Sequence, residues 1–395
     1  MKYLKKFNTA EEYAAFLESG EMARPNVSYV AESDEISYFP LGSIITLNQN
    51  LTDPALIISG SINGSHIQKI RQNSHRYLGK YTEDGKMTIC QLDDADSTRY
   101  ADGSSAILTG EEGDVFMKLP AFSYRSTEVE PGVWNIEFIY GKAIDDSWQQ
   151  WDGNDLIGVY EASIANNKAH SRSNVASTDQ VTQSSFKAYA KAKGTGFSLV
   201  KWKHHSMMAF LFYAMYGNTN SQAIIGTGGS GTNETGATNS IGMTDTKNAA
   251  NGESINFWGL ENWWGNKREW IDNVTLSNNG SWFNVIEDDG SARTITVTLS
   301  SGFISKIKVG EHLDVSPLAV GASANTGFCD NYSPGATDNV LRRSNDGYHE
   351  NGGISHINCS NKNNYAGDKY GSRIAFRGTI EEVKNVETFK SLTVI

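Results

Sequence analysis

The side chains able to do chemistry lie in a few short stretches. Cys329 and Cys359, with His356 close to the second, offer thiols and an imidazole. A catalytic thiol needs a partner that lowers its pKa, and nearness in sequence does not supply one. With Cys90 distant from both, three scattered cysteines make neither a disulfide framework nor a zinc knuckle, while a Cys329–Cys359 bridge stays geometrically open. Asp145-Asp146 and the run Trp151-Asp-Gly-Asn-Asp155 offer oxygens to calcium, but their spacing fits no EF-hand loop and reads as a solvated turn. His204 and His205 are adjacent on a helical pattern and point about 100° apart, so they read as cap or core residues rather than a shared metal site. Glu111-Glu112 and Asp288-Asp289-Gly290 read as turns, and Gly228-Gly229-Ser-Gly231 lacks the flanking strand and helix of a phosphate loop. No Ser-His-Asp order is present. The expectation is a protein that is not an enzyme, with no cofactor and no metal.

The most informative stretch runs from 330 to 370. There Asn331, Asn339, Asn345, Asn351, Asn358, Asn361, Asn363 and Asn364 alternate with Tyr332, Asp346, Tyr348, His349, Ser355, His356, Ser360 and Tyr365. An Asn codon changed at one of its adenines gives Tyr, His, Asp, Ser, Thr or Ile, which is nearly this vocabulary, set between Gly352, Gly353 and Arg373. Such a set also suits binding: Tyr brings amphipathic area at little entropic cost, and Asn, Ser and His adapt their hydrogen bonds. The expected ligand-contacting residues are Asn331, Tyr332, Asn345, Asp346, Tyr348, His349, Asn351, Ser355, His356, Asn358, Ser360, Asn363 and Asn364. Val340-Leu-Arg342 and Ile374-Ala-Phe-Arg-Gly378 read as strands that hold them.

The elements that must position these residues follow from periodicity. A Thr cap, a carboxylate three residues on and a terminal Gly predict a helix over 9–20. Period-two runs predict strands near 26–30, 35–39, 43–47, 56–59, 87–92, 114–119, 134–140 and 155–162. Helices are predicted over 184–192 and from 201 to about 215. The apolar run 207–216 is half of the ~20 residues a membrane span needs, so it predicts a buried helix. The Gly/Thr/Asn-rich segment 226–252 predicts an exposed, mobile loop, and strands return near 294–299 and 304–309. The Trp-rich turn 259–272 predicts indoles packed in a core and pinned by hydrogen bonds.

The chain has 395 residues, room for more than one domain. Its formal charge of −11 gives no general attraction to nucleic acid or to an anionic membrane. Only 20% of residues are charged, so much of the polarity is uncharged Gly, Asn, Ser and Thr, as in a loop-rich, β-leaning fold. The opening residues carry no apolar stretch of the secretory type.

Trp264-Gly-Asn-Lys-Arg-Glu-Trp270 resembles the Gly-Asn-x-x-Glu-Trp signature of C-type-lectin-like domains related to formylglycine-generating enzymes. In order around it stand Leu156-Ile-Gly-Val-Tyr-Glu-Ala162, Ala190-Lys-Ala-Lys-Gly-Thr-Gly196, the stretch 211–222 and Gly371-Ser-Arg-Ile-Ala-Phe-Arg-Gly378. Together, over roughly 110–380, they resemble phage tail-tip and tail-fibre proteins whose C-terminal lectin-type domain is diversified by a retroelement, of the major tropism determinant type. The resemblance implies an α+β fold: an N-terminal β-rich attachment or oligomerisation domain over 1–125, then a C-type-lectin-like domain with loop insertions over 126–395, its variable region near 330–370. It implies adhesion without catalysis, in a virion, as a homotrimer that meets other tail proteins and a bacterial surface receptor, protein or glycan, with no nucleic acid and no membrane insertion. It also implies that Arg373 and Arg377 are scaffold. The close cysteine pair of the oxidase relatives is missing. Two alternatives stay open: an adhesin displayed on a bacterial cell surface, and a structural virion protein that binds nothing.

Overall fold

A computed structural model describes residues 42–142, 146–248, 253–345 and 352–393, together with the backbone of three earlier strands, Tyr3–Lys6, Asn26–Tyr29 and Glu35–Phe39. The helix expected over 9–20 lies outside the described residues. The protein is mostly β, with 38% strand against 15% helix.

Three sheets carry the architecture. The first has five antiparallel strands in the order Gln149–Trp151, Phe122–Glu130, Val133–Tyr140, Ser43–Asn48 and Ile58–Gly60. Ser43–Asn48 buries every second residue, the pattern of a strand with one face on a core. The second has seven strands, ordered Phe197–Leu199, Ile374–Arg377, Asp155–Gly158, Asp114–Lys118, His75–Tyr81, Met87–Gln91 and Ile380–Glu382. All of its pairs are antiparallel except the last, where Ile380 lies beside Met87. Three consecutive strands of this sheet, Asp114–Lys118, His75–Tyr81 and Met87–Gln91, come from before residue 125 and lie between strands from after it, so a lectin-type unit beginning at 126 would lack three of its seven strands. The boundary drawn from the sequence therefore does not divide the fold.

The third sheet runs Ala292–Thr296, Trp282–Ile286, Arg268–Ser277, Asn339–Arg343, Ile357–Lys362, Asn331–Ser333, Gly302–Lys308 and Ser316–Val320, with Tyr370–Gly371 added parallel to Arg268–Ser277. Between the sheets lies the helix Trp202–Tyr216, apolar on every side and buried from Trp202 to Ala214 except at Lys203. Gly217 ends it at φ 60°, the left-handed conformation a helix C-terminus favours. The helix Gln183–Lys191 starts at Thr182, whose hydroxyl accepts from Ser185 N. One continuous core joins Ile45, Leu78, Phe138, Trp202, Phe257, Trp264, Tyr332 and Phe389.

Two expectations change here. Of the stretch 56–59 read as strand, Ile58 and Ser59 are strand but Leu56 and Ile57 belong to a helical turn, Pro54–Ile57, because Asp53 caps Ala55 N and Pro54 sits where its missing N–H costs nothing. The segment from 226 to 248 is not an exposed loop. Gly228, Gly229, Gly231, Thr235, Thr238, Asn239 and Gly242 are buried. Glycine permits this: a Cβ on Gly228 would lie 2.4 Å from the Trp264 carbonyl oxygen, and one on Gly242 2.2 Å from that of Asp94.

Candidate functional site

The Gly-Asn-x-x-Glu-Trp residues form a buried polar knot. Gly265 and Asn266 both have positive φ, at 81° and 55°, which turns the chain sharply after Trp264. Asn266 Nδ2 donates to Glu161 Oε2 at 2.6 Å, and its Oδ1 accepts from Gly231 N at 2.9 Å and Asn233 N at 3.2 Å. Lys267 N donates to the other oxygen of Glu161 at 3.0 Å. Glu269 is fully buried between Arg343 and Arg373. Arg373 also donates to the carbonyls of Gly158, Val159, Glu261 and Asn262, so one guanidinium joins the second and third sheets. Burial, helped by the charge of Glu269, pushes the Glu161 carboxyl up to about 8. Glu261 accepts from Gly236 N at 2.8 Å and from Thr238 N at 2.7 Å, which folds in the segment before it. Burial raises its pKa as well.

Trp263, Trp264 and Trp270 are buried as expected. The indole of Trp264 donates to Gly226 O at 2.8 Å, that of Trp270 to Val181 O at 3.3 Å, and that of Trp263 meets no acceptor among the described residues. Arg343 lies over the Trp263 ring. On this platform stand the strands Asn339–Arg343 and Ile357–Lys362, paired Asn339 to Lys362 and Arg342 to Asn358.

The thirteen expected contact residues separate by depth. Asp346, Tyr348, His349 and Asn351 lie outside the described residues. Ser360, Asn363 and Asn364 are exposed, and Asn331 and Asn358 are half-buried. Tyr332 and Ser355 are fully buried, and His356 and Asn345 nearly so. Tyr332 faces the core, with its hydroxyl unpaired. Ser355 meets the Tyr213 hydroxyl at 2.5 Å, while Asn345 Oδ1 accepts from Arg268 Nε at 3.0 Å. These four support the surface from beneath and present little of themselves to a partner. Composition concealed the division, because within a sheet the alternation of faces, and not residue type, decides which side chain is outside. Exposed residues that the expected set omits include Lys362, Tyr365 and Asp368, all within the same polar stretch.

Asp330 anchors the turn before the strand Ile357–Lys362. Its carboxylate accepts from Gly353 N at 2.5 Å and from Ser355 N at 2.7 Å, and burial pushes its pKa up to about 7. The cysteines are free and buried. Burial raises the Cys329 thiol to about 12 and moves Cys359 in the same direction, away from nucleophilic chemistry.

The other candidate clusters resolve into ion pairs and caps. His204 accepts from Lys201 N at 3.0 Å through Nδ1 and meets Asp155 at 3.2 Å through Nε2, so it is both cap and core. Burial acts to raise the Asp155 carboxyl, but His204 and Lys203 hold it well below the usual range. Arg377 pairs with Asp152 at 2.6 Å, Asp155 at 2.7 Å and Asp288 at 3.1 Å. These carboxylates already face cations. Among the described residues no group of three or more His, Cys, Asp or Glu is placed to hold a metal, and no helix is long and apolar enough to cross a membrane.

No protein-family profile matches the chain, and no curated protein matches it.

Proposed function

We propose that the protein is a non-enzymatic adhesion protein of a phage tail, a C-type-lectin-like scaffold that binds a bacterial surface receptor through the strand Ile357–Lys362 and the residues that follow it. One observation carries this reading. A run of exposed or half-exposed Asn358, Ser360, Asn361, Lys362, Asn363, Asn364 and Tyr365 lies on a rigid, buried platform of Trp270, Arg342, Arg343 and Glu269. Polar, adaptable side chains on a stiff support are what a recognition surface requires, since little ordering entropy is then lost on binding. The lectin-type resemblance gains support from the roles of its signature residues: Asn266, Glu269 and Trp270 each hold the fold, and the strand Asp155–Gly158 meets Ile374–Arg377 from the far end of the unit. Catalysis has no comparable support, because the thiols are buried and the clustered acids are paired. Weak single-site affinity would be raised by several copies in one virion.

Two measurements test the reading. Labelled protein should bind whole bacterial cells, and a variant with Lys362, Asn363, Asn364 and Tyr365 all changed to Ala should not, while unfolding at the same urea concentration. Sequencing the 3′ end of the gene across a population should find substitutions at adenine positions within 330–370. Cell binding that survives the fourfold change refutes the assignment of the surface, and an invariant 3′ end refutes diversification.

A further inference from the structure

Arg342 is fully buried, yet no carboxylate among the described residues lies within ion-pair distance of it. Arg343 beside it and Arg373 across from it share Glu269. Arg342 instead lies with its guanidinium carbon 4.0 Å from the centre of the Tyr370 ring and 5.1 Å from that of Trp270, and its Nε and Nη1 meet no hydrogen-bond acceptor among the described residues. Burying a cation without a counter-ion is costly, and stacking on aromatic rings returns part of that cost.

The third nitrogen, Nη2, donates to Asn358 Oδ1, to Ser360 Oγ at 2.9 Å and to Asn361 Oδ1 at 2.6 Å. Arginine has donors only, so it holds both amides with their oxygens turned toward it. Asn358 Oδ1 is further occupied by Ser360 N at 3.0 Å and Ser360 Oγ at 2.7 Å. The Nδ2 groups of Asn358 and Asn361 therefore have no partner among the described residues. They remain as donors on a strand that also carries the exposed Lys362. A surface of N–H donors above a buried, uncompensated positive charge is complementary to an acceptor that bears negative charge.

We infer that this strand recognises an oxyanion, a carboxylate or phosphate carried singly on the surface ligand. The inference rests on the adhesion reading and supplies the chemistry of its ligand. The formal charge of −11 repels a dense polyanion, so an isolated charge on an otherwise neutral glycan fits the protein better than a charged polymer.

The test uses the full chain and two matched pairs of probes, sialyllactose against lactose and glucose phosphate against glucose, with binding followed by ligand-detected NMR. Each acidic probe is expected to bind more tightly than its neutral counterpart in at least one pair, and the pair that responds identifies carboxylate or phosphate. Arg342→Met should abolish the preference. Because that change also alters packing, the deciding variant is Asn358→Asp, which places a carboxylate against Arg342 from within. It should weaken acidic-probe binding by roughly tenfold or more while leaving the urea midpoint equal or higher. Equal binding of acidic and neutral probes, or an Asn358→Asp protein that binds the acidic probe as wild type does, overturns the inference. Cell binding measured in parallel separates the two readings. Adhesion without acidic preference refutes the oxyanion alone, and acidic preference without adhesion refutes the function proposed above.

Discussion

Changing Glu269 to Gln removes the one carboxylate that two buried arginines share. The Glu269 and Arg373 side chains are 0% exposed and that of Arg343 is 1% exposed, so water does not replace the lost charge. Gln retains an oxygen for one guanidinium and brings an amide that can only oppose the other. Breaking a buried pair in this way costs about 3–5 kcal/mol. Against a typical total of about 5–15 kcal/mol, that is a large part of the stability. The loss should appear as a lower urea midpoint in an unfolding curve followed by Trp fluorescence, because Trp263 packs against both arginines. A double variant, Glu269→Leu with Arg373→Met, should cost less than the sum of its single changes by about 0.5–3 kcal/mol, since each removes a charge that the other strands. A Glu269→Gln protein within about 1 kcal/mol of wild type, the behaviour of a solvent-exposed pair, would refute the reading that this knot holds the platform.

Other outcomes follow from the same contacts. Burial raises the Asp330 carboxyl from the ordinary 3.8 to about 7 in the folded state, so the folded state binds more protons in that window and stability falls as pH rises through it. The full window is worth about 4 kcal/mol, and Asp330→Asn should flatten this part of the urea-midpoint profile; parallel profiles would contradict it. Tyr332→Phe should stabilise by about 1 kcal/mol in the same assay, because the buried hydroxyl has no partner. Lys80 donates to the carbonyls of Phe389 at 3.0 Å, Lys390 at 2.9 Å and Leu392 at 2.9 Å, so Lys80→Met should lower hydrogen-exchange protection over the helix Val386–Ser391 while the central strands keep theirs. Asn364→Ala, in contrast, should move stability by no more than about 0.5 kcal/mol, measured by urea unfolding, because the side chain is exposed and makes no hydrogen bond among the described residues.

Much of the fold could be read where one stretch determines its own structure. The helix Trp202–Tyr216 announces itself by an unbroken apolar run and a Gly cap, and the strands Met87–Gln91, Asp114–Lys118 and Val133–Tyr140 by their apolar patterns and turns. What resisted reading depends on distant partners. Polar residues of 228–242 such as Thr235 and Thr238 are buried because Glu261 and Asn266 satisfy amides of this stretch, and nothing within it reveals that. The stretch 330–370 holds strands because Arg268–Ser277 and Gly302–Lys308 supply edges for it. Depth within the stretch 330–370 was not legible: Asn358 and Ser360 reach the surface, and Tyr332 and Ser355 do not. Arg342 drew notice only as strand material, since the lack of a counter-ion is a property of three dimensions.

The order of strands in the seven-stranded sheet bears on how the protein is made. Ile374–Arg377 is an interior strand, set between Phe197–Leu199 and Asp155–Gly158, and it leaves the ribosome after the whole stretch 330–370. Until it arrives, the sheet has a gap that no earlier segment fills, and folding must wait for contacts of long sequence separation. A frameshift or premature stop within 330–370 would therefore remove a central strand, leaving nascent chains for proteolysis instead of folded proteins with a damaged surface. Any process that rewrites that stretch would be screened at synthesis for an intact reading frame, before a folded surface is ever presented.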